Sequence, residues 1–134
     1  MTISGFQFSN PVLTKVIFLL NDKVLENKMP SNADIPIKTT ASMKQMGEHA
    51  SVVALKVDVG EQSDHHPFYI SAIMQAKFIW NDSISDDMAE VLLKRNAPAL
   101  LLGYIRPYIA QITEASPIGT VHLPFMNFAE ECEE

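Results

Sequence analysis

Residues 97–112, APALLLGYIRPYIAQI, hold one formal charge, Arg106. Leu100, Leu101, Leu102, Tyr104, Ile105, Tyr108, Ile109 and Ile112 spread over almost the whole circumference of a helix. A helix outside a membrane that is apolar all round is buried on more than one side. Pro98 suits an early helical turn and sets a break or kink near Asn96, while Pro107 inside the run predicts another kink. The helical region opens upstream, where Ser83 or Ser85 can cap it and Asp86 and Asp87 favour its first turn. It runs to about Ala115.

What precedes this helix reads as strands. Residues 1–10 form a short edge-like segment with Phe6 and Phe8, closed by Asn10-Pro11. In residues 12–20, VLTKVIFLL, both alternating sets are apolar: Val12, Val16, Phe18 and Leu20 against Leu13, Ile17 and Leu19. A polar loop fills 21–35. Residues 36–46 alternate, with Lys38, Thr40, Ser42 and Lys44 on a wet face. Residues 50–59 and 67–80 alternate more cleanly and are joined by Gly60-Glu61-Gln62-Ser63-Asp64, which predicts a long antiparallel hairpin. Strands first and helix last give the α+β class: a four-stranded antiparallel sheet followed by a long kinked helix packed on one face. One such sheet covers one side of the helix, so a partner subunit is expected on the other. After Ser116-Pro117, residues 118–128 are apolar, marked by Gly and Pro, and extended. A length of 134 residues fits one domain over 1–134, with an acidic tail at about 129–134.

Few kinds of chemistry fit this composition. The chain is 47% hydrophobic and carries a net charge of −6, which speaks against a nucleic-acid-binding face. No apolar run approaches the ~18 residues of a membrane span. The N-terminal residues lack a basic-then-apolar leader, and a single cysteine, Cys132, allows no internal disulfide. A cytoplasmic, reducing setting is expected. His65-His66 reads as a turn rather than a metal site, because adjacent side chains diverge and no second cluster accompanies them. His49, His122 and Cys132 belong to no nucleophile–base pattern, Asn81-Asp82-Ser83 is a formal glycosylation acceptor, and no GxSxG, P-loop or GxGxxG occurs. No enzyme and no cofactor is expected. The positive signal is apolar: seven methionines and seven phenylalanines, a mixture suited to adaptable binding surfaces.

Residues 96–128, NAPALLLGYIRPYIAQITEASPIGTVHLPFMNF, resemble the signature stretch of the SecB family of protein-export chaperones. In that family a long helix with a Pro-Tyr-x-Arg core leads into an apolar crossover segment that ends in a Pro-Val-Asn-Phe-like motif. Tyr104-Ile105-Arg106 and Pro124-Phe125-Met126-Asn127-Phe128 take those places here. The order of strands before one long helix, Phe18 before a polar loop and Phe78 near the end of the last strand are similar too, so the likeness spans about 3–128. It implies a homotetramer, a dimer of dimers whose long helices pack between two eight-stranded sheets. It also implies capture of unfolded clients in apolar grooves near the crossover, no use of nucleotide, and delivery to the motor SecA. Two features depart from the pattern. Leu102-Gly103 replaces Phe-Pro, and the first and last main strands carry Lys15 and Lys77 where export members carry acids. SecA docking is therefore not expected on that face.

The expected function is that of a holdase for non-native polypeptides, possible in protein export. The alternatives are a SecB-like chaperone dedicated to an antitoxin, and an α+β domain that binds a small molecule. The expected peptide-binding residues are Phe6, Phe8, Met29, Ile37, Met43, Met46, Leu123, Phe125, Met126 and Phe128. The expected oligomer interface comprises Val16, Phe18, Leu101, Tyr104, Ile105, Tyr108 and Ile112.

Overall fold

The computed structural model describes residues 2–23, 35–63 and 65–128. Five strands come first: β1 (Phe6–Phe8), β2 (Val12–Leu20), β3 (Ile37–Gly47), β4 (Ala50–Gly60) and β5 (Phe68–Trp80). All pairings are antiparallel, and β5 sits between β4 and the β1/β2 edge, with β3 outermost beyond β4. β1 and β2 lie end to end along β5, against its residues 78–80 and 68–75. Pro11 has no N–H to give a ladder, and the chain is unpaired at 9–11 except where Ser9 N donates to Lys77 O and Lys77 N donates to Ser9 Oγ. The expected four main strands are all present, and the fifth is the edge-like segment before Asn10-Pro11, which pairs with β5 over Phe6–Phe8.

Register sorts the side chains. Val53, Leu55, Val57 and Val59 of β4 share an inner face with Phe68, Ile70, Ala72, Met74, Ala76 and Phe78 of β5, and all are buried. β2 alternates differently from the simple reading. An extra residue between Leu13 and Lys15 breaks the ladder, so Leu13, Val16, Phe18 and Leu20 fall on the inner face and Val12, Lys15, Ile17 and Leu19 on the outer one. One residue of bulge moves Val12 and Leu13 to the opposite sides from those expected. At the end of β4, Gly60 has φ +76°, and a Cβ there would run into the carbonyl oxygen of Phe68.

The helical region starts where expected. Ser85 Oγ accepts from Met88 N at 3.1 Å, and Asp86 and Asp87 lie in the first turn of α1 (Asp86–Val91). The Asn81-Asp82-Ser83 triplet serves a turn here, with Asn81 Oδ1 accepting from Ser83 N. The break expected near Asn96 is a π-helical turn over Leu92–Asn96, after which α2 runs over Ala97–Glu114 with Pro107 inside it. α2 lies across β5 and β4, burying Ala97, Leu101, Leu102, Ile105, Ile109 and Thr113 against them.

That packing corrects part of the expected interface. Leu101 and Ile105 are 0% exposed inside the subunit's own core, so they leave no surface for a partner. Phe18 and Ile112 pack against the same core at its margin. The outward side of α2 carries Ala99, Gly103, Tyr104, Pro107 and Tyr108, with Tyr104 41% and Tyr108 45% exposed, and Val16 is exposed on β2.

Candidate functional site

Because α2 covers β5 and β4, the inner face of the sheet stays open along both flanks. On the β3 flank, Ile37, Thr39, Ala41 and Met43 stand opposite the buried Val59, Val57, Leu55 and Val53, so they belong to the same inner face. Among the described residues no helix covers that strip: Ile37 and Thr39 are half-buried, Ala41 is exposed, and Met43 is 43% exposed. A cavity opens at each end of it. One, of about 270 Å³, lies among Ile35, Ile37, Val59, Phe68, Ile118 and Val121. The other, of about 820 Å³, has Met43, Trp80, Ala89 and Leu93 as apolar wall and Glu48, Asp82, Asp86, Asp87 and Glu90 as acidic rim. Trp80 Nε1 is buried there without a hydrogen-bond partner among the described residues. From Ile37 to Met43 the strip runs for about 20 Å, the length of roughly six extended residues.

The segment after α2 closes the first cavity, and polar bonds fix it there. Thr113 is fully buried; its hydroxyl donates to Ile109 O at 2.7 Å and accepts from Val121 N at 2.8 Å. Ser116 Oγ donates to Thr113 O, and Gly119 turns the chain with φ +79°. Further on, Arg106 Nη2 donates to Pro124 O at 2.8 Å while the guanidinium stacks 4.6 Å from the ring centre of Phe125. The one charge of residues 97–112 is therefore the clamp for the crossover. The sequence reading missed that role, although the isolation of Arg106 among apolar residues was its signal.

The ten expected peptide-binding residues do not form one surface. Ile37 and Met43 lie on the β3 flank, with Met46 53% exposed where the β3–β4 register shifts. Phe6 and Phe8 lie on the opposite flank of α2: Phe6 stacks 5.6 Å from Phe78, and Phe8 meets Tyr104 edge-on. Leu123 and Phe128, expected in the groove, are buried in the core, because the crossover folds back under α2. Met126 packs against that core, while Phe125 is 91% exposed. Met29 falls outside the described residues. The sequence reading places neither the acidic rim nor Trp80 in a site; it gives Asp86 and Asp87 only as first-turn residues of the helix and Asp82 as part of the glycosylation triplet.

A sheet followed by a long helix and an apolar crossover is the arrangement that the resemblance implied; the arginine clamp is what the structure adds. The family model SecB, preprotein translocase subunit SecB, matches residues 20–131. The chain belongs to the SecB family. Among solved structures it is similar to the Mycobacterium tuberculosis SecB-like chaperone Rv1957 in complex with a ChAD peptide from the Rv1956 HigA1 antitoxin. That match has a TM-score of 0.62 at 13% identity and covers 90% of each chain. It is also similar to a protein of unknown function from Streptococcus agalactiae, with a TM-score of 0.51 at 18% identity, over 92% of this chain and 100% of that one. No curated protein sequence matches it. In this SecB-family chaperone, among the described residues, no group of three or more His, Cys, Asp or Glu is placed to hold a metal, and no helix is long and apolar enough to cross a membrane. His66 instead bonds Ser63 Oγ at 2.7 Å within its loop.

Proposed function

We propose that this chain is a holdase that captures extended, apolar segments of non-native polypeptides and slows their folding or aggregation without nucleotide. The observation that carries the reading is the inner strip of β3 from Ile37 to Met43, which no helix covers among the described residues, with an apolar cavity at one end and an acid-rimmed one at the other. An extended client laid there would bury apolar side chains against the strip. It could also bond to the outer edge of β3, the outermost strand among the described residues. Phe125, exposed and held by Arg106, offers a further apolar contact beside the crossover.

The working form in this reading is a cytoplasmic homotetramer. The outward side of α2, with Tyr104 and Tyr108, would pack against other subunits, and Val16 would add to the contact. The family's description as a translocase subunit supports a place in protein export, whereas Lys15 and Lys77 speak against docking of SecA on the outer sheet face. A second reading, a chaperone dedicated to an antitoxin, is favoured by the likeness to the antitoxin-peptide complex.

The test is suppression of aggregation of a slow-folding client during refolding. The Met43→Glu variant should keep the wild-type unfolding midpoint and lose most suppression. Full suppression by that variant would move the site away from β3. Suppression confined to one antitoxin and absent for general clients would decide for the second reading.

A further inference from the structure

The register of the sheet gathers five of the chain's eight lysines on its outer face. Lys15 of β2 and Lys56 of β4 flank Ile73 of β5 in one row across the sheet. Lys44 of β3 and Lys77 of β5 flank Val52 of β4 in a second row. Lys38 stands opposite Asp58, the sole acid on these strands' outer face, and Asp58 is engaged: Tyr69 Oη donates to it at 3.1 Å and Lys56 Nζ lies 3.9 Å away. Among the described residues no carboxylate lies within ion-pair distance of Lys15, Lys38, Lys44 or Lys77, and all four are exposed. A chain with a net charge of −6 thus shows a cationic face, with Ile17, Ile73 and Val52 half-buried between the lysines. Like charges gathered on one face repel one another, and an anionic partner relieves that repulsion while steering its own approach.

The spacing limits the partner. Lysines two strands apart stand about 10 Å from each other, and a chain in the polyproline II conformation rises about 9 Å in three residues and returns every third side chain to the same face. We propose that the outer face docks an acidic segment of a partner protein, with carboxylates at every third residue meeting Lys15 and Lys56, or Lys77 and Lys44, and an apolar side chain between them on Ile73 or Val52. Asp58 favours a polypeptide over an anionic membrane, since a fixed negative charge within the grid repels a uniformly anionic surface and can be matched by a donor on a peptide. This face is opposite the β3 strip, and the proposal does not depend on client capture there.

The test uses a fluorescein-labelled peptide of about twelve residues repeating Glu-Leu-Ser, long enough to cross the sheet. A Gln-Leu-Ser peptide is the control. Fluorescence anisotropy at ~50 mM salt should show binding of the glutamate peptide alone, lost on raising salt to ~0.3 M. The triple variant Lys15→Gln, Lys56→Gln, Lys77→Gln should bind at least about tenfold more weakly. Its unfolding midpoint should match the wild type, because the three side chains lie outside the core. Equal binding of both peptides, unchanged binding by the triple variant, or no binding at ~100 μM overturns the proposal. Co-sedimentation with phosphatidylglycerol vesicles in place of peptide binding would overturn it in favour of a membrane-docking face.

Discussion

α2 and the crossover over 115–128 follow one another in the chain and are both apolar, yet burial and hydrogen bonding share the work differently in the two. The inner side of α2 is held by burial: Leu101, Ile105 and Ile109 are 0% exposed against β4 and β5. The crossover buries Leu123 and Phe128 as anchors, but between and before them it is pinned by groups of α2 itself, the Thr113 hydroxyl on Val121 N and the Arg106 guanidinium on Pro124 O. Burial fixes an element by consuming its apolar surface. A hydrogen-bond clamp fixes it and leaves that surface open, which is how Phe125 remains 91% exposed on an ordered segment. A protein that receives apolar guests needs the second kind of attachment next to the first.

Substitutions on the two sides of this comparison should differ in size and in kind. The largest effect is expected for Ile105→Ala, about 2–5 kcal/mol of stability by chemical denaturation, since a cavity opens in the core. A loss below ~1 kcal/mol would mean that α2 is not held by burial. Next comes Thr113→Val, which keeps the shape but leaves Val121 N without its acceptor, for about 1–3 kcal/mol. Hydrogen exchange at Val121 should accelerate more than at Val57; parallel changes would show that the crossover and the core open together. Gly103→Ala should work in opposite directions in one molecule. A Cβ there meets nothing within 4 Å, so the lone subunit should gain up to ~1 kcal/mol of helix stability. Where α2 packs closely on another subunit, the added methyl should weaken assembly, as read by sedimentation. The smallest change in stability belongs to Phe125→Ser, within ~0.5 kcal/mol, as befits an exposed site. It should nonetheless reduce client capture, whereas Phe128→Ser should destabilise the fold outright, its ring being buried.

The strands and the helix start were legible in the sequence because period-two alternation over residues 50–59 and 67–80, and Ser85 ahead of Asp86 and Asp87, are local signals. The bulge between Leu13 and Lys15 was not, since both sides of that strand are apolar and the alternation there carries no phase. Leu101 and Ile105 were assigned to a partner, and Leu123 and Phe128 to a groove, for a shared reason. Periodicity states that a side chain must be covered without naming what covers it. Arg106 stands out as the lone charge of residues 97–112, but its partner is a carbonyl 18 positions away, which no local pattern reveals. The acidic rim at Glu48, Asp82, Asp86, Asp87 and Glu90 is assembled from a hairpin tip and a helix start, and it exists only once the sheet is folded.

The edge of β3 has a consequence for how such a molecule treats its own kind. An outermost strand of eleven residues is a standing invitation to any chain that can extend beside it, including an identical one. Two copies meeting antiparallel about Ala41 would set Lys38 of each against Lys44 of the other, and like charges directly opposed across strands repel. The irregular register near Met46 spoils the pairing further at the end of the strand. The same edge is therefore inhospitable to its twin and tolerant of a neutral stranger, which lets a host stay sticky in a crowd of identical hosts without polymerising.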